Sequence, residues 1–339
     1  MPIPIIIGAV AVGAGLYGAA KGVSGAMDKS KAKDINADAE TMVNKANSTL
    51  DFQREKTNKV LESYGQRKLR AFNGTIADFI NEFGKIKNID LSDSPELDKL
   101  TDGDFSSTSL EDLKKQHDML QNAGLGLGAG LGSGAALAFG AYNGTMLLAT
   151  ASTGTAISSL SGAAATNATL AWLGGGSLAA GGYGVAGGMM VLGGIVAGPA
   201  LAIFGHIMGN KGEEALNQAL QNLEQAETVS SEANLMTDKL KAVETVAVLA
   251  NTSFSKLSTQ LRRGNYDMKK VIAQEGEDFG TYSESGKDTV FRTVKLAQLV
   301  KAMIDTPILD QDGNLVLSTE KRIGDIVAVA NDEKDSIEV

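Results

Sequence analysis

MLQNAGLGLGAGLGSGAALAFGAYNGTMLLAT at residues 119–150 and YGVAGGMMVLGGIVAGPALAIFGHIMGN at residues 183–210 contain no acid and no base, and neither do the residues between them. About a quarter of the positions of a soluble domain are charged, so about twenty charges would be expected in a window this long. The flanks are ordinary by that measure. Residues 28–118 hold 18 acids and 15 bases, residues 211–339 hold 22 and 15, and Lys21 is the one other charged residue. Whole-chain figures hide this division, because 339 residues with 43% apolar and 21% charged positions describe an average globular protein.

Two stretches of the window, residues 125–150 and 183–208, are long and apolar enough to cross about 30 Å of hydrocarbon as helices. The second contains Met189, Leu192, Ile195, Ile203 and Phe204. Lys114, Lys115 and Lys211 flank the window, and if they share a side the number of crossings is even, which fits a hairpin of two or four segments. The window also holds 23 of the 40 glycines. A glycine inside a helix costs about 0.8–1 kcal/mol relative to alanine in water, so these segments would be poor helices alone. In hydrocarbon the backbone must satisfy itself, and glycines spaced by four let helices approach closely. Gly128 and Gly132, Gly140 and Gly144, Gly184 and Gly188, and Gly194 and Gly198 have that spacing. Residues 124–134 alternate glycine with Leu, Ala or Ser, a period of two that would also suit a strand with one bare face, the minority alternative to the helix. A soluble domain with an unusually Gly/Ala-rich buried helical pair is the third reading of the same composition.

The flanks read as helices. Residues 34–87 form one or two, with Ile35, Ala39, Met42, Ala46 and Leu50 on one stripe, Ile76, Phe79, Ile80, Phe83 and Ile86 on another, and a joint at Gly74. Ser109 and Asp112 form a capping box for a helix running into the window. Residues 213–262 are the most regular part: Met236, Leu240, Val243, Ala247, Ala250, Phe254, Leu257 and Leu261 step by four and three, the seam of a coiled-coil-like helix. Such a helix requires a partner, and the upstream amphipathic helices are the candidates. A further helix is expected at 287–304. After it, Ile308-Leu309, Asp312-Gly313-Asn314 and Leu315-Val316-Leu317 spell a short β-hairpin, before a charged, frayed tail from Asp332.

Composition excludes several functions. A net charge of −9 with no basic face argues against nucleic acid, whose phosphates require clustered Lys and Arg. Zero cysteines remove disulfides, thiol catalysis and thiolate zinc sites. Gly13, Gly15 and Gly18 after Ile5-Ile6-Ile7 match a dinucleotide turn, but no second apolar strand leads to Asp34 or Asp38. Asp310, Asp312 and Asn314 begin like a calcium loop, yet Leu315 and Lys321 stand where glycine and glutamate are needed. No cofactor, metal or enzymatic activity is therefore expected. The two histidines, His117 and His206, bracket the window and would serve as protonation switches for insertion or as ordinary helix-end side chains. The apolar start lacks the basic region of a secretory signal.

The expected architecture is mainly α. Residues 1–27 form an apolar N-terminal segment, 28–118 an amphipathic helical region, 119–210 the charge-free membrane-inserting region, 211–265 the long helix and 266–339 a small α+β region. Across residues 34–262 this arrangement resembles α-helical pore-forming proteins of the cytolysin A type, and less closely the hydrophobic hairpins of colicins and the apolipoprotein L proteins. No diagnostic motif accompanies the resemblance. It implies a helical bundle that shields the hairpin, then opens so that the hairpin inserts and the protein oligomerises. The expectation is thus a bilayer-binding homo-oligomer, with or without a second protein component. It would permeabilise membranes as a toxin or effector, reaching the membrane from a soluble cytoplasmic or secreted precursor. The competing expectation is a membrane-anchored scaffold that recruits partners without forming a pore.

Overall fold

A computed structural model describes residues 25–89, 108–122, 136, 139–141, 212–310 and 314–335. The described chain is mainly helical and contains no strand. Its elements are α1 (Gly25–Ala71), a π-helical turn (Phe72–Ile76), α2 (Ala77–Phe83), α3 (Thr108–Asn122), α4 (Gly212–Glu275), a 3-10 turn (Phe279–Thr281), α5 (Glu284–Asp305) and α6 (Thr319–Asp335). The joint expected at Gly74 is the π turn, one of the few local devices that interrupt a long helix without ending it.

The chain divides into two compact units, residues 1–47 with 199–233, and residues 48–198 with 234–339. In the first unit α1 and α4 meet through small residues. Ala32 packs with Ala215 and Ala219, Ala39 and Val43 pack with Ala226, and Asn222 Nδ2 donates to Asn36 Oδ1 at 2.9 Å. In the second unit Gln53 Nε2 donates to Glu244 Oε2 (2.7 Å), Arg67 Nε to Asn251 Oδ1 (2.7 Å) and Asn265 Nδ2 to the Thr75 carbonyl (2.8 Å). In these three bonds partner numbers rise together, with separations of 191, 184 and 190 residues, so α1 and α4 run parallel here. The long helix has found its partner upstream, as its apolar seam requires. Val243, Ala247, Ala250, Phe254, Leu257 and Leu261 are buried, whereas Met236 and Leu240 are half-buried.

α4 runs about one helical segment past the expected stop at Arg262. Gly264 is tolerated inside it because α5 lies against that point, and a Cβ there would sit 2.9 Å from Thr293 Oγ1. The helix ends at Gly276, whose φ of +91° is the left-handed conformation that terminates helices and favours glycine. Residues 84–89 then dock on the turn that follows, with Lys87 N donating to Glu277 O (2.7 Å) and Phe279 N donating to Lys87 O (3.1 Å).

α5 begins at a Ser283 cap, whose Oγ accepts from Gly286 N (3.1 Å) and donates to Glu275 Oε1 (2.8 Å). Ser283→Ala should cost about 1 kcal/mol in urea unfolding, the ordinary value of a helix cap. Every residue from Thr293 to Ile304 is buried, polar ones included. Lys301 is ion-paired with Asp305, as a charge taken out of water requires. After α5, where the sequence suggests a short hairpin, the described residues make an antiparallel bridge between Leu309 and Leu315, with Val316 N donating to Ile308 O (2.9 Å), and the turn residues 311–313 lie outside the described residues. The helix that follows, α6, covers the core with Ile323, Ile326 and Ala330 and continues to Asp335, through the start of the expected tail.

Candidate functional site

Of the uncharged window, only residues 119–122, which end α3, and the helical residues 136 and 139–141 are described, and it is the latter that bear on the site. They meet α1 with the two backbones in contact. A Cβ built on Gly65 would stand 1.8 Å from the Ala136 carbonyl oxygen, and one built on Gly140 would stand 1.8 Å from the Leu61 carbonyl oxygen. Only glycine at both positions permits so close an approach, and it is the approach that small-residue ridges make between helices in membranes. Ala136, Phe139 and Ala141 are buried at this seat, and the Phe139 ring lies 6.3 Å from that of Phe72. The Ala141 carbonyl accepts from both Ile308 N (2.8 Å) and Leu309 N (3.0 Å), so the segment leaving α5 is bonded directly to this backbone.

A lysine lies beneath. Lys68 is fully buried, and its Nζ donates to the carbonyls of Phe139 (3.1 Å) and Ile304 (3.3 Å). It also stands 4.4 Å from the centre of the Tyr64 ring and 5.2 Å from that of Phe139. The Ile304 carbonyl lies in the last turn of α5, where the peptide dipoles favour a cation. Burial nevertheless pushes the Lys68 amine down to about 7, and the Asp305 carboxylate opposes that shift only in part. Tyr64 is raised by burial; its hydroxyl donates to the Met303 carbonyl at 3.1 Å, and its ring meets Phe254 edge-on at 5.8 Å. One ionisable group thus joins α1, the last turn of α5 and the helical residues 139–141 of the uncharged window.

Gly140 is the one residue proposed from sequence for helix packing in the window that lies among the described residues. Gly128, Gly132, Gly144, Gly184, Gly188, Gly194 and Gly198 lie outside them, as do Met189, Leu192, Ile195, Ile203, Phe204 and His206. His117 is half-buried on α3, with Nδ1 shut from solvent and without a hydrogen-bond partner among the described residues. It does not join the seat in any described contact. Gly65 and Lys68 escaped the sequence reading, yet a signal existed. Leu61, Gly65, Lys68, Phe72, Ile76 and Phe79 step by four and three, which places a glycine and a lysine in core register on α1.

Among the described residues no group of three or more His, Asp or Glu is placed to hold a metal ion, and no helix is long and apolar enough to cross a membrane. The dinucleotide-like glycines and both proposed spans fall outside the described residues, apart from residues 136 and 139–141 of the first span. No family model, curated protein or solved structure matches the chain.

Proposed function

We propose that the protein inserts its uncharged segment into a lipid bilayer and permeabilises it as a homo-oligomer, in the manner that its layout shares with α-helical pore-forming proteins. The observation that carries this reading is the Gly65–Gly140 contact. Where the uncharged segment meets a described helix, it does so through a glycine of the four-residue ridge and with backbone touching backbone. That contact is reversible in kind, since helices held by small residues and dispersion can exchange one helical partner for another in lipid. The helices around the seat hold the start of the segment until insertion. The segment then trades the α1 partner for copies of itself.

Liposome dye release tests the proposal. The full chain should release trapped dye, and Gly194→Leu, which fills a ridge in the second apolar stretch, should reduce release at least tenfold while vesicle binding persists. Binding without leakage by the unaltered chain would instead assign it to the anchored scaffold class. Equal release by both proteins would remove the glycine ridge from the account.

A further inference from the structure

On another face of the α1–α4 pair, Arg67, Arg70 and Arg262 line an open pocket of about 210 Å³ whose lining includes no carboxylate. Register assembles it. Arg67, Arg70 and Ala71 lie within one turn of α1 with Thr75 in the π turn that follows, while Ser255, Ser258 and Arg262 lie three or four residues apart on α4, and the parallel pairing brings the two stripes together.

Arg67 is fixed in place, with Nε on Asn251 Oδ1 (2.7 Å) and Nη1 on Ser255 Oγ (2.9 Å), which uses two of the five N–H donors of a guanidinium. Arg70 spends one donor on the Gln66 carbonyl at 3.3 Å, and among the described residues neither Arg70 nor Arg262 is ion-paired. Ser258 Oγ, on the pocket lining, is shut from solvent and has no hydrogen-bond partner among the described residues. A buried hydroxyl left unsatisfied costs free energy, so it points to a missing partner. Three arginines on one pocket lining, in a chain of net charge −9, point to an anionic one.

We propose that this pocket binds a phosphate-type oxyanion, the group that a free phosphate and a phosphomonoester lipid headgroup both present. Planar guanidinium forks match tetrahedral oxyanions two bonds at a time, which ammonium groups cannot do. The volume is small, below that of drug-sized pockets. It therefore suits a single phosphoryl group and its ester oxygen. The site stands independently of membrane insertion.

The test uses the full-length protein, with inorganic phosphate in calorimetric titration and with phosphatidylcholine vesicles with and without phosphatidate in co-sedimentation. Arg70→Gln/Arg262→Gln changes two exposed side chains, and Arg54→Gln/Lys59→Gln removes the same charge elsewhere on α1. The pocket variant should weaken binding at least tenfold, about 1.4 kcal/mol, and the control should not. Loss in the phosphatidate arm identifies a lipid headgroup as the source, and loss confined to the phosphate arm identifies the free ion. If neither probe binds the unaltered protein, or if both variants bind alike, the proposal is overturned.

Discussion

Gly65→Ala is expected to destabilise the protein by about 3 kcal/mol or more in urea unfolding, although alanine is the better helix former by about 1 kcal/mol. The new methyl would meet the Ala136 carbonyl at 1.8 Å, and because the obstacle is backbone, no side-chain rotamer relieves it. The helices must separate, which strips the contacts of Phe139 and pulls Ala141 from its two N–H donors. Gly74→Ala provides the contrast, since nothing lies within 4 Å of a Cβ at that position. It should be close to neutral. If both substitutions prove equally mild, the Gly65–Gly140 crossing is absent in solution. With the seat loosened, Gly65→Ala should also release liposome dye faster than the unaltered chain under the same conditions.

The second large effect is a pH dependence carried by Lys68. Its folded value of about 7 lies below the ordinary 10.5, so between these limits the unfolded chain binds more protons than the folded one. Stability must therefore rise with pH across that window, by at most about 1.4 kcal/mol per unit, and fall again as the pH is lowered toward 7. Below about 7 both states hold the proton, and this group contributes no further slope. Above about 10 the raised Tyr64 acts oppositely, because the unfolded chain then loses a proton that the folded chain keeps. Asp305 is the carboxylate whose charge acts on Lys68, and it is shared with Lys301. Urea unfolding at intervals from pH 6 to 9.5 should show the slope in the unaltered protein and not in Lys68→Met. Equal slopes in the two would dismiss Lys68 as the titrating group. The same sign makes acidification from about 10 down to about 7 weaken the seat, so leakage should quicken over that range, level off below it, and lose that dependence in Lys68→Met.

Much of the helical frame was legible. Seam residues from Val243 to Leu261 predict burial by spacing alone, and Gly74 marks its joint because glycine is a poor interior helix residue. α4 continues past the regular seam that ends at Leu261 because contact with Thr293 holds Gly264 inside the helix against its poor propensity. α6 was missed because Ile323, Ile326 and Ala330 form a stripe too brief and too interrupted by charge to stand out. The seat and the arginine pocket were harder for a different reason. Each depends on which face of α1 meets which distant segment, and a parallel register between residues some 184 to 191 apart leaves no local trace. Lys68 reads as a surface lysine until Leu61, Gly65 and Phe72 are seen to share its face.

The chain has no cysteine, so a single one introduced at Leu192 can carry an environment-sensitive fluorophore without competition. On adding vesicles, the account predicts blue-shifted emission, protection from aqueous iodide and quenching by acyl-chain nitroxides. An emission spectrum unmoved by lipid, with iodide access retained at pH 6 and pH 8, would contradict it.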